Sequence, residues 1–468
     1  MKPILLQYKL FILLTVVLYG LPSCKKLIEI DAPSDKIVST EVFKDDLTAT
    51  SAMLGLYQDM TGLNGSLGNS GLSLYPGLSA DELYRNTSIA VYDEFSNNAL
   101  TSGNSLMGTY IWNKAYNLIF QANSILAGID NNPAISVNTR NQLTGEAKFI
   151  RAFYHFYVYN LFGPAPLVTS INYRETASVG RIPAEEMYAS IVADLLDARA
   201  ILPENYASAG KVRINKWAVN AFLARVYLYQ GNWKNAETMA AEVIRSGGYT
   251  LVQNLNNVFL ANSTEAIFQL LPTGAISAST INTWDGNGFI PAANAVPAYN
   301  LAPSLLNAFS DTDKRKINWI GTTVVGGKTY AYPYKYKVRT GASITEYYMF
   351  IRYAELFLIR AEAYANQGLL SQAIADLDIL KERAGIPLIR DTNPSIAQAP
   401  LLDEIIRERQ RELFVEFGHR WLDLKRTNRV DAVLGAVKPN WKPTSALYPI
   451  PFTETQRNTA LAQNPGYN

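Results

Sequence analysis

Two adjacent carboxylate pairs, Asp81-Glu82 and Asp93-Glu94, are the residues best suited to general acid–base work in this chain. A pair of carboxyl groups can cleave a glycosidic bond when the two flank it at a set separation. Neighbours in sequence point in different directions in regular structure, so neither pair forms such a dyad by itself. Metal chemistry has little to draw on. His155 and His419 are the only histidines and Cys24 the only cysteine, which excludes a disulfide framework and a multi-cysteine metal site. The nucleotide-binding G-x-x-x-x-G-K-[ST], the zinc-protease H-E-x-x-H and the hydrolase G-x-S-x-G are all absent. The residues therefore point away from catalysis, and no cofactor is expected.

Cys24 has a chemistry of its own. Residues 1–9 carry Lys2 and Lys9 and no acid, and Leu10 to Tyr19 is an apolar run broken by one threonine. That run is about half of the ~20 residues needed to cross a bilayer. A basic start, a short apolar middle and a small residue before a cut describe a secretory signal peptide over 1–23. Leu21-Pro22-Ser23-Cys24 resembles a bacterial lipobox, departing from it at Pro22, where Ala, Ser or Thr is usual. In that reading the thiol becomes a thioether to diacylglycerol and the new amino group is acylated. Several acyl chains satisfy the two-signal requirement for stable anchoring. Lys25 and Lys26 follow, with no Asp at the second position to hold the protein at the inner membrane. The expectation is an outer-membrane lipoprotein whose residues 24–40 form a tether.

Removing residues 1–23 leaves 40 basic and 40 acidic residues, so no electrostatic case for nucleic acid remains. The chain is 48% hydrophobic and holds 28 tyrosines and seven tryptophans, side chains that suit a core or a surface gripping sugars or peptides.

The elements that must position these side chains are mostly helical. Residues 45–60, 110–126, 144–163 and 184–202 read as helices, with Ser39, Thr40 or Asp45 as cap of the first. Gly62 to Gly77 is rich in Gly, Ser and Asn, which is loop chemistry. Residues 220–244 place Ala224, Tyr227, Gly231 and Ala236 at offsets 0, 3, 7 and 12, and residues 353–380 repeat them as Ala361, Tyr364, Gly368 and Ala373. This is the spacing of tetratricopeptide helix pairs. Ala152 and His155 repeat only the first offset. In 402–424, Leu402, Ile406, Leu413, Phe417, Trp421 and Leu424 mark a buried face, leaving Glu404–Arg407 and Glu408–Arg411 as pairs on the wet face. His419 reads as a packed or capping residue. Trp112, Tyr116 and Trp217 read as helix core. The segment 248–350 changes character, with short strands or extended loops at 251–259, 265–272 and 329–339. The fold class is mainly α: tetratricopeptide-like pairs form a scaffold that carries one long irregular insertion, where function is usually displayed.

Three segments, AKFIRAFYHFYVYNLFGPAPLV (147–168), IIRERQRELFVEFGHRWLDLKR (405–426) and LYPIPFTETQRNTALAQNPGYN (447–468), closely resemble the SusD/RagB family. The resemblance runs from Cys24 to the last residue. It implies an N-terminal SusD-like region over 41–247 and a C-terminal RagB/SusD-type region over 248–468 that includes the 248–350 insertion. It further implies a surface-exposed outer-membrane lipoprotein that binds oligosaccharide and delivers it to a SusC-like TonB-dependent barrel, the helical body closing over the barrel as a hinged lid. Asp81-Glu82 matches a recurring acidic step of SusD-like proteins, which gives it a structural or lid role. By region, the resemblance points to Tyr84, Arg85, Tyr92, Trp284, Asp285, Trp319 and Tyr330 as ligand-binding residues, with Asn97-Asn98 and Asn287 as polar partners. A peptide cargo on the same architecture, and a glycan-cleaving surface enzyme, are the alternatives.

Overall fold

The structure, a computed structural model, describes residues 39–273 and 282–467. The expected signal peptide, Cys24 and nearly all of the expected tether lie outside the described residues.

Helix α1 (Asp46–Gly62) starts at Asp45, whose carboxylate accepts the Thr48 N–H at 2.8 Å while Thr48 Oγ1 accepts the Asp45 N–H at 3.3 Å. This reciprocal cap contributes about 1 kcal/mol. The Gly/Ser/Asn-rich stretch departs from its loop reading at Leu72, where α2 (Leu72–Ser79) begins despite Pro76 inside it. All eight residues of α2 are buried, so tertiary burial overrides weak helix propensity. Strand β1 (Leu83–Arg85) and the short helix α3 (Ala90–Ser96) follow.

From there the helices stack in chain order: α4 (Lys114–Ile129), α5 (Val137–Phe162), α6 (Ala184–Ile201), α7 (Lys216–Tyr229) and α8 (Trp233–Arg245). The chain then crosses 248–350, which holds β2 (Ala266–Leu270), a one-and-a-half-turn helix α9 (Trp284–Phe289), β3 (Tyr299–Leu301), the hairpin β4 (Ile320–Val325) and β5 (Lys328–Pro333), and β6 (Tyr348–Arg352). Of the expected strands, 251–259 contains a 3-10 turn at Leu255–Asn257 instead. Stacking resumes with α10 (Tyr353–Asn366), α11 (Leu370–Ala384) and α12 (Gln398–Leu413), and α13 (His419–Arg426) ends the series.

The spacing read from the sequence has a direct cause. Ala224, Ala236, Ala361 and Ala373 are fully buried between their helices, and Gly231 and Gly368 turn at φ 68° and 76°, where only glycine is unstrained. Helix α8 packs on α10, so the two repeats are neighbours in space although the insertion separates them in sequence. His155 is core: burial pushes its imidazole down to about 3, and Nε2 accepts the Val168 N–H at 3.2 Å.

Above this stack, β2 and β6 pair antiparallel and drive aromatic rings into it. Phe268 meets Phe149 at 5.8 Å, and Phe350 meets Phe153 and Phe417 at 5.7 and 4.8 Å. The C-terminal segment is pinned to the helical body. Tyr448 is buried, its N–H donating to Leu161 O at 2.9 Å, and Asn464 Nδ2 donates to both Phe162 O and Tyr448 O at 2.7 Å.

The wet-face reading of Glu408 is overturned as well. Glu408 is fully buried, not on a wet face, and accepts from Arg315 Nη1 at 2.5 Å. It belongs to a buried ionic network in which Arg315 also binds Asp313 and Glu412, Arg352 binds Glu412 and Glu416, Arg383 binds Glu265 and Glu412, and Lys335 binds Glu416. The insertion supplies Glu265, Asp313, Arg315 and Lys335. It lies over Glu408 and Glu412 of α12 and removes them from water.

Candidate functional site

Strands β1 and β3 pair antiparallel, setting Tyr84 opposite Asn300 and Arg85 opposite Tyr299. This brings the loop after the acidic step against the insertion. The Arg85 guanidinium sits 4.7 Å from the ring centroids of both Tyr92, on α3, and Tyr299, on β3. Tyr299 continues to Trp284 at 6.1 Å and Phe289 at 5.8 Å, both on α9, while Tyr92 continues to Tyr75 at 6.4 Å. The result is a chain of rings in which Tyr92, Arg85 and Trp284 stay half-exposed and Phe289 and Tyr75 lie beneath.

The residues of α9 are chosen for close approach. A Cβ on Gly286 would stand 2.3 Å from Val338 O, and one on Gly288 would stand 2.7 Å from the Trp284 ring. Thr283 Oγ1 caps the helix at Gly286 N, 3.2 Å away, and the Tyr348 hydroxyl accepts the Trp284 N–H at 2.7 Å. Asn287 is spent on Arg339 O at 3.0 Å.

Other expected site residues fall elsewhere. Trp319 is fully buried, donates Nε1–H to Leu255 O at 2.9 Å and packs on Phe259, so it offers no face to a ligand; the insertion has a core of its own. Asp285 is buried and accepts from Ser70 Oγ. Asn98 is buried and donates to Ser79 O at 2.9 Å, leaving Asn97 exposed. Tyr330 stands half-exposed on β5, which runs beside β3, without touching the ring chain; Lys328 Nζ lies 5.1 Å from its ring. Tyr84 is half-exposed beside Arg85. Sequence reasoning missed Tyr299. Nothing local separates it from the other tyrosines, because its role comes from pairing with a strand more than two hundred residues away.

The carboxylate pairs are committed to structure. Arg420 donates to both oxygens of Asp81 at 2.7 and 2.8 Å. Glu82 Oε1 accepts the Val415 N–H at 3.2 Å, and Val415 stands at φ 52°, a conformation costly for a β-branched residue. Asp93 accepts from Ser88 Oγ, and Glu94 accepts from Thr101 N and Oγ1 at 2.8 and 3.0 Å.

Burial, reinforced by the adjacent Asp81 charge, pushes the Glu82 carboxyl up from 4.5 to about 8, and burial pushes Asp285 up from 3.8 to about 7. Each raised group holds a proton in the fold that the unfolded chain has released. Stability is therefore fully present below about pH 4 and is lost as pH rises to about 8. Glu82→Gln, neutral at every pH, should flatten that decline by up to about 1.4 kcal/mol per pH unit. Chemical unfolding between about pH 5 and pH 8 reads this, and parallel curves for the two proteins would refute it.

Residues 48–228 match a family model described as starch-binding, associating with the outer membrane, and residues 283–467 match the SusD family model. The chain belongs to the SusD/RagB family. Among its relatives in that family, SusD-like protein P38 of Formosa agariphila is 25% identical over 97% of this chain and 98% of its own length. SusD-like protein P25 of the same organism is 28% identical, but the match spans 52% of this chain and about half (47%) of that protein. A solved structure described as a laminarin-binding SusD-like protein is 25% identical and superposes with a TM-score of 0.77 over 91% of this chain and 100% of its own. The mainly helical architecture is thus that of the SusD superfamily. Among the described residues no helix is long and apolar enough to cross a membrane.

Proposed function

We propose that this SusD/RagB protein is a non-catalytic glycan-binding lipoprotein, lipidated at Cys24 and held on the outer face of the outer membrane, that passes oligosaccharide to a SusC-like TonB-dependent transporter. The observation that carries the binding role is the half-exposed set Tyr92, Arg85 and Trp284, joined across the β1–β3 seam by the buried ring of Tyr299. Sugars present flat C–H faces to aromatic rings and hydroxyl edges to polar groups, and this surface supplies both. The laminarin-binding neighbour supports the cargo class. The non-catalytic role rests on the carboxylate pairs, each already held by structural bonds. Residues 1–23 act as the signal peptide and 24–40 as the tether.

Electrophoresis of the purified protein through gels containing a polysaccharide panel tests the reading. Retarded migration on at least one glycan without new reducing ends is expected. Trp284→Ala and Tyr92→Ala should each weaken retention on the order of 10- to 100-fold, the loss of one to two aromatic contacts. New reducing ends would make the protein an enzyme, and retention indifferent to both substitutions would move the site elsewhere.

A further inference from the structure

Arg85 stands apart from the enclosed arginines that hold carboxylates. Arg151, Arg213, Arg225, Arg360, Arg420 and Arg426 each hold a carboxylate at 2.5–2.8 Å. Arg85 pairs with no carboxylate among the described residues, and its one hydrogen bond is from Nε to Thr87 O at 3.3 Å. Its guanidinium rests against the Tyr92 and Tyr299 rings, whose centroids stand 6.1 Å apart on adjoining sides of it, and no hydrogen bond leaves its Nη edge. Nearby acids are spoken for: Asp93 by Ser88, Asp81 by Arg420, Asp285 by Ser70. Arg140 and Arg181 also lack a carboxylate partner among the described residues but spend their guanidiniums on carbonyl oxygens, whereas Arg339 reaches the C-terminal end of α9 through Nε to Ile290 O at 3.2 Å.

We infer that the bound oligosaccharide carries an anionic group, a uronate carboxylate or a sulfate ester, that Arg85 receives. The inference rests on the glycan-binding reading and narrows it to a substrate class. A planar fork packed against two rings loses little freedom on binding and presents parallel N–H groups to two oxygens of one anion. Such charge-assisted bonds are roughly twice as strong as those to a neutral hydroxyl. The half-exposed rings of Tyr92 and Trp284 then take the sugar's apolar face next to the charge.

Calorimetric titration of the mature chain with size-matched neutral glucan, oligogalacturonate and sulfated galactan oligosaccharides tests this. One anionic set should bind roughly tenfold or more tighter than the neutral set, and the preference should shrink as salt rises to about 0.5 M. The carboxylate and sulfate arms identify which anion is recognised. Arg85→Gln should abolish the preference, bringing the anionic and neutral oligosaccharides to the same affinity. Arg85→Lys should keep part of it, because a point charge replaces a fork. Thermal unfolding of both variants checks that the fold survives. Neutral sugar bound as tightly as either anion, or a preference that survives Arg85→Gln, overturns the inference and leaves glycan binding standing. No binding to any set sinks both.

Discussion

Glu412→Leu is expected to destabilise the protein by about 3–5 kcal/mol, a large part of the ~5–15 kcal/mol that holds a typical fold together. The Glu412 carboxylate accepts from Arg352 at 2.6 Å, from Arg315 at 3.0 Å and from Arg383. Burial pushes this carboxyl up, but the Arg383, Arg352 and Arg315 guanidiniums together outweigh it and hold it well below the usual range. Removing it leaves three buried cations to share the remaining acids in a site closed to water. Leucine fills the volume and returns none of that charge, so cations left unpaired dominate the cost. Glu412→Gln keeps an acceptor and should lose less. An exposed pair gives the contrast: Lys44→Ala, which breaks only the Lys44–Glu41 contact at 3.2 Å, should cost under about 1 kcal/mol. Urea unfolding of the three variants reads the order. The network clamps the insertion that carries Trp284 and Tyr299, so folded Glu412→Gln protein should also bind glycan more weakly. A Glu412→Leu protein as stable as the parent would show that the ion pairs only break even with packing.

What the sequence made legible is what is decided locally. Small residues and glycine at fixed offsets announced the helix pairs because a close crossing and a left-handed turn each demand one residue type. The apolar stripe of 402–424 announced a buried face for the same reason, since its period is that of the helix itself. What lay beyond reach depends on partners distant in the chain. Glu408 and Arg411 have the spacing of a solvent-exposed pair, and nothing in α12 tells that the insertion supplies Arg315 to cover Glu408. Trp319 reads as a loop aromatic on display, yet the loop folds over Phe259 and Phe414 into a small core. The platform was half legible. Arg85, Tyr92 and Trp284 could be picked by region, whereas Tyr299, the ring that joins them, is defined by the β1–β3 register.

The other large effect concerns a residue beyond the described part of the chain. Cys24→Ser is expected to abolish incorporation of labelled palmitate and to remove the protein from the protease-accessible cell surface. The argument is one of bond chemistry followed by transfer energy. Only a thiolate can form the thioether to diacylglycerol, and serine, similar in size, cannot replace it under the same enzyme. Each buried CH2 of an acyl chain contributes about 0.8 kcal/mol, so one chain holds a protein only marginally and two or three hold it firmly. Among the described residues no helix offers a second way across the bilayer. A tether of about sixteen residues, at up to ~3.3 Å each, spans on the order of 50 Å. Under the proposed function that length would let the binding face swing over a neighbouring transporter while the lipid stays in place, and the anchor, not the folded body, would be the element that keeps captured sugar near the barrel. Growth on the cognate glycan should therefore fall with the label even though the purified Cys24→Ser body binds that glycan unchanged. Palmitate label persisting in the serine variant, or full growth without label, would refute the lipid anchor.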